Sequence, residues 1–159
     1  MANNTVMVLG VGNTLLSDDG AGVHVLKNLA DFGLPQGAEL VEGGIAGMGM
    51  LYLIEEAESL VVVDSVDAGA EPGAIFQFSP DEILVIAEEH NLSLHQAGLI
   101  EVLKVGRALG KLPPKVTIFA IQPKSIDWGL DLTPEVKAKM PKLVQLVAEE
   151  VMVWLGGRQ

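Results

Sequence analysis

Leu60-Val61-Val62-Val63 places four aliphatic residues in succession and ends on the carboxylate of Asp64. The run is too short for a helix and has no polar residue to turn toward water. It fits a strand covered on both faces, as in a parallel sheet with helices above and below. Val6-Met7-Val8-Leu9, closed by Gly10, has the same character, and Val116 to Ile121 repeats it. Between these runs the spacing changes from strand-like to helical. Val23, Leu26 and Ala30 recur at threes and fours behind Ser17, Asp18 and Asp19, which read as a cap and first-turn acids, before Gly33-Leu34-Pro35 stops the helix. Glu39-Leu40-Val41 reads as a second strand broken by Gly43-Gly44, and Met48 to Glu56 as a second helix. A strand at Ala74 to Phe78 and helices at Asp81 to Glu89 and Gln96 to Leu109 follow. Thr133-Pro134 opens a long terminal helix in which Pro141 predicts a kink or break near Met140. Strands alternating with helices over short connections predict a single three-layer α/β domain across residues 1–159, with a mostly parallel twisted sheet flanked by helices. Ligands of such sheets sit beyond the carboxyl ends of the strands, so the loops there are where function is sought.

Composition narrows the chemistry. Ten Lys and Arg against 21 Asp and Glu give a net charge of −11, which disfavours nucleic acid and anionic membrane surfaces as partners. With no cysteine in the chain, disulfides, thiolate metal sites and a cysteine nucleophile are excluded, leaving oxygen and nitrogen groups. The apolar run after the N-terminus is too short for a signal-peptide core, and no stretch approaches the roughly 20 apolar residues of a membrane-spanning helix, so a cytoplasmic location is expected.

The loop Gly10-Val11-Gly12-Asn13-Thr14-Leu15 invites comparison with phosphate-binding turns but departs from them. Leu15 stands where a dinucleotide fingerprint needs glycine or alanine, and Asp18 and Asp19 would repel a pyrophosphate. A tight turn that needs small residues accounts for Gly10 and Gly12 better. Asp18 and Asp19, taken alone, fit a helix cap first, and the same helix dipole keeps them ionised, the form that meets a cation. Asp64 ends the most apolar strand, where a carboxylate is costly to desolvate unless donors or positive charge meet it. Of three histidines, His24 reads as a helix-surface residue, turned about 140° from Asp19, and His90 as a solvated helix end. His95 stands at a predicted helix start, where the dipole favours a neutral imidazole. Two carboxylates and one imidazole at one sheet edge make a possible metal triad suited to nickel, zinc, iron or manganese.

Four stretches taken together resemble the nickel–iron hydrogenase maturation endopeptidases. They are residues 10–22 with the Gly-Asn-x-Leu-x-x-Asp-Asp-Gly-x-Gly block, Gly43-Gly44-Ile45-Ala46-Gly47, Val61-Val62-Val63-Asp64, and His95-Gln96-Ala97-Gly98-Leu99. The resemblance implies a cytoplasmic protease that removes a C-terminal extension from the hydrogenase large-subunit precursor after nickel insertion. It places the metal contacts on Asp19, Asp64 and His95, and a substrate groove along Gly43, Gly44 and Gly47. Asp19 stands where many relatives carry Glu, and Glu42 where Asp is usual. The nickel would be the precursor's own cargo, with no tightly bound cofactor in the enzyme. The three metal-contacting residues are also the catalytic candidates, since the attacking water could be polarised by the metal or by a carboxylate. A non-catalytic nickel-dependent docking or chaperone protein is the alternative reading, and a nucleotide enzyme resting on the glycine turn alone is a third.

Overall fold

The structure is a computed structural model and describes residues 4–44, 47–90 and 97–156. Five strands form one sheet: β1 (Val6–Val11), β2 (Ala38–Gly44), β3 (Ser59–Ser65), β4 (Ile75–Phe78) and β5 (Lys115–Ile121). Their order is β2-β1-β3-β5-β4, so β3, with its four aliphatic residues, is the central strand. All pairings are parallel except that of β4 with β5, which is antiparallel.

Helices α1 (Ala21–Ala30) and α5 (Pro134–Trp154) cover one face of the sheet. Helices α2 (Gly49–Ile54), α3 (Pro80–His90) and α4 (Ala97–Ala108) cover the other. Alternation along β3 sends Val61 and Val63 toward α1 and α5, and Leu60 and Val62 toward α2 and α4. Asp64 therefore emerges on the α2 and α4 side. A one-residue slip would reverse it, but all four aliphatic side chains are buried at about 1.5–3 kcal/mol each, which fixes the register.

Several sequence expectations are corrected. β1 runs on through Gly10 to Val11, and β2 to Gly44, because pairing resumes as Val11 with Gly44 after a register shift that passes over Gly43. Ser17 to Gly20 is a separate 3-10 turn, and α1 begins at Ala21 without a side-chain cap. Pro141 does not break α5, which is one 21-residue helix. Val136, Met140, Leu143, Val144, Val147, Ala148 and Val151 are all buried along it. At about 1.5–3 kcal/mol for each larger side chain, their burial exceeds the roughly 3 kcal/mol that an internal proline costs. His24 is not a freely exposed surface residue: it lines a cavity of about 620 Å³ between α1 and α5, with its Nε2 enclosed and without a hydrogen-bond partner among the described residues.

The glycines of the first motif serve close packing. A Cβ on Gly22 would lie 2.2 Å from the carbonyl oxygen of Val63, so α1 rests directly on the sheet backbone. Gly12, at φ +129°, has the carbonyl oxygen of Asp19 where its Cβ would be, which folds the 3-10 turn back over the end of β1.

Candidate active site

The chain leaves β1 for β2 on one side and later returns to place β3 on the other, so the carboxyl ends of β1 and β3 border the switch point where open α/β sheets hold ligands. A cavity of about 280 Å³ lies there. Its walls are Val11 at the end of β1 with Gly12, Asn13 and Leu16 after it, Gly44 at the end of β2 with Gly47 after it, Asp64 on β3, Met50 on α2, and Gly98 and Leu99 in the first turn of α4. Asp19, from the 3-10 turn, completes it.

The two adjacent aspartates of the turn are separated by their surroundings. Asp18 is fully buried, and its carboxylate accepts hydrogen bonds from Lys124 N (2.9 Å), Ser125 N (3.2 Å), Thr133 N (2.8 Å) and Thr133 Oγ1 (2.7 Å). Four donors hold it as a structural hub and turn it away from the cavity. Asp19 is 6% exposed and lines the cavity, with Oδ2 accepting from Asn13 N at 2.9 Å. That bond steadies the side chain on the loop that carries it.

Asp64 is 4% exposed, and its Oδ1 accepts from Ser65 N at 2.7 Å. Burial pushes its carboxyl well above the ordinary carboxylate value, the charge of Asp19 pushes it further, and only the Ser65 hydrogen bond opposes them. The site thus pairs two desolvated acids, an arrangement that a cation between them would relieve. The larger cavity beside His24 has no such pair, its one carboxylate being Asp131.

Of the residues drawn from the sequence, Asp19, Asp64, Gly44 and Gly47 meet at this cavity. Gly43 does not line it: it packs beneath, where a Cβ would press on Leu9 and Met50 at 3.1 and 3.2 Å. His95 lies outside the described residues, as do Ile45 and Ala46. Among the described residues no third acid or histidine joins the two carboxylates in a metal-binding cluster. The backbone of Asn13, with Met50 and Gly98, also belongs to the site. The signal for Asn13 was its place between Gly12 and the acidic turn, whereas Met50 and Gly98 reach the cavity only through the packing of α2 and α4.

The family model described as HycI, hydrogenase maturation protease, matches residues 23–150. The chain belongs to the hydrogenase maturation protease family. It is 33% identical over 145 residues to the hydrogenase 2 maturation protease of Escherichia coli, covering 90% of this chain and 88% of that protein. It is 32% identical to the hydrogenase expression/formation protein HupD of Bradyrhizobium diazoefficiens, covering 96% of this chain and 80% of the relative. Among solved structures, the hydrogenase maturating endopeptidase HybD from E. coli superimposes with a TM-score of 0.83 at 30% identity, over 94% of this chain and 93% of that one. As a maturation protease this chain is a peptide hydrolase with an α/β fold, and none of its described helices is long and apolar enough to cross a membrane.

Proposed function

We propose that this maturation protease removes the C-terminal extension of a nickel-loaded hydrogenase large-subunit precursor, and that it reads the inserted nickel through Asp19, Asp64 and His95. The supporting observation is the pair of buried carboxylates at the switch-point cavity, with Asp64 held toward its protonated form by burial and by Asp19. A divalent cation arriving with the substrate supplies the charge this pair lacks, releases the Asp64 proton and converts the mutual repulsion into attraction. His95 enters from the family resemblance, three positions before Gly98 in the sequence. Oxygen and nitrogen ligands without thiolate hold nickel only modestly, so the metal stays with the precursor's own ligands, and docking discriminates loaded from empty precursor.

The test is digestion of nickel-loaded and nickel-free precursor in parallel, with product masses measured. Loss of the tail only from the loaded form supports the reading. Stable complex formation without cleavage favours the docking-protein alternative, and cleavage of both forms alike removes the role given to nickel.

A further inference from the structure

Apolar side chains scattered over a surface are ordinary. Those beside the active-site cavity are organised. Leu15 is 49% exposed, Leu130 67% and Trp128 80%, and they lie on two segments bonded to each other. Gly129 N donates to the carbonyl oxygen of Leu15 at 2.9 Å, Ser17 N donates to that of Gly129 at 2.8 Å, and Leu16 and Gly129 form a parallel β-bridge. A Cβ on Gly129 would lie 2.9 Å from Ser17 Oγ, so the segment lies flat on the cavity loop. Asp18 ties the same segment at Lys124, Ser125 and Thr133. Leu16 thus lines the cavity while its neighbour Leu15 faces solvent, and Trp128 and Leu130 flank the glycine that touches the loop.

From this we infer that Leu15, Trp128 and Leu130 form an apolar shelf on which the polypeptide substrate lays an apolar segment next to the bond that is cut. The inference rests on the protease reading above. An endopeptidase must bring a polypeptide to two recessed carboxylates, and the shelf shares its backbone with the wall of that recess. Tryptophan is among the side chains enriched at positions that carry binding energy in protein interfaces. The Trp128 indole has no hydrogen bond and little packing in the described chain that would explain its place.

The test uses Trp154→Phe, which leaves Trp128 as the sole tryptophan, labelled with fluorotryptophan and observed by fluorine NMR while unlabelled nickel-loaded precursor is added. The resonance is expected to shift or broaden. In parallel, Trp128→Ala is expected to raise KM for the precursor roughly tenfold with kcat within about twofold, and Trp128→Phe to recover most of it. Leu15→Gln provides a second, independently folded variant with the same direction of change. An unmoved resonance with a precursor that is cleaved, or an unchanged KM in both variants, overturns the shelf while leaving the protease reading intact. A moved resonance without cleavage by the wild-type chain removes the protease reading and overturns the shelf as a substrate site beside a cut bond. A resonance that moves with protein concentration alone makes the face a contact between copies and overturns the proposal.

Discussion

Asp18 and Thr133 stand 115 positions apart and are joined twice, with Thr133 N donating to Oδ1 at 2.8 Å and Thr133 Oγ1 to Oδ2 at 2.7 Å. This pair fastens the segment that carries Trp128 to the turn that carries Asp19, so the start of α5 is tied directly to the active-site loop. Removing the carboxylate strands these two donors together with Lys124 N and Ser125 N. Asp18→Ala should therefore lower stability by roughly 2–3 kcal/mol, a fall in Tm of about 5–10 °C for a chain of this size. Asp19→Asn, which leaves the Asn13 N bond an oxygen to donate to and relieves the repulsion on Asp64, should leave Tm unchanged or slightly raised and abolish tail removal. Thermal melts of both variants check the division of labour, and equal destabilisation by the two would refute it.

Asp64 gives a pH signature of opposite sign to a carboxylate held by an ion pair or by several donors. Its folded-state pKa lies above the unfolded value of about 3.9. The folded chain then binds more protons than the unfolded one, so stability from this group is fully present below about pH 4 and is lost as pH rises through the folded value. Asp64→Asn keeps an oxygen for Ser65 N and has no charge to desolvate. Its Tm should exceed that of the wild type at pH 7–8, and the gap should close toward pH 4 while processing is lost throughout. A variant less stable than wild type at every pH would contradict the burial argument.

The parts of this molecule legible in the sequence are those dictated by local chemistry. Leu60 to Val63 had to be an interior strand, and a carboxylate at its end had to lie at a sheet edge. The direction of β4 was not legible, because side-chain alternation is the same in parallel and antiparallel strands. The choice between Asp18 and Asp19 depends on Thr133, far along the chain, and on a segment at 122–133 without the periodicity of an element. At Pro141 the local cost that favours a break was outweighed by the apolar face of α5, which runs on through it. Gly43 read as part of a groove, since a glycine that packs under Met50 and one that lines a cavity look alike in sequence.

Gly98 separates stability from function. It lines the cavity in the first turn of α4, where an added Cβ would meet Gly47 Cα and Met50 Cε at 3.9 Å, an ordinary contact. Gly98→Ala should stabilise the helix by up to about 0.5–1 kcal/mol, while a methyl group in the cavity lowers the rate of tail removal. Gly12→Ala, in contrast, would put its Cβ 1.8 Å from the Asp19 carbonyl oxygen and should fail to fold stably. Denaturation midpoints and cleavage rates for the pair test this, and a Gly98→Ala enzyme with unimpaired cleavage would remove Gly98 from the substrate path.

His24 should titrate the fold without touching the reaction. Burial lowers its pKa from the ordinary value, Lys27 lowers it further, and Asp131 partly restores it. The folded chain then holds fewer protons than the unfolded one near pH 6, so the stability associated with the neutral ring is present above the unfolded value of about 6.5 and is lost as pH falls below it through the lowered folded value. His24→Gln, which cannot acquire a charge, should flatten the decline in Tm between about pH 7 and 5. Processing of the precursor at neutral pH should stay at the wild-type rate, because His24 opens on the cavity between α1 and α5 and not on the one that holds Asp19 and Asp64. An inactive but folded His24→Gln would show that the larger cavity takes part in the reaction, and an unchanged pH slope would show that the imidazole is not the group being desolvated.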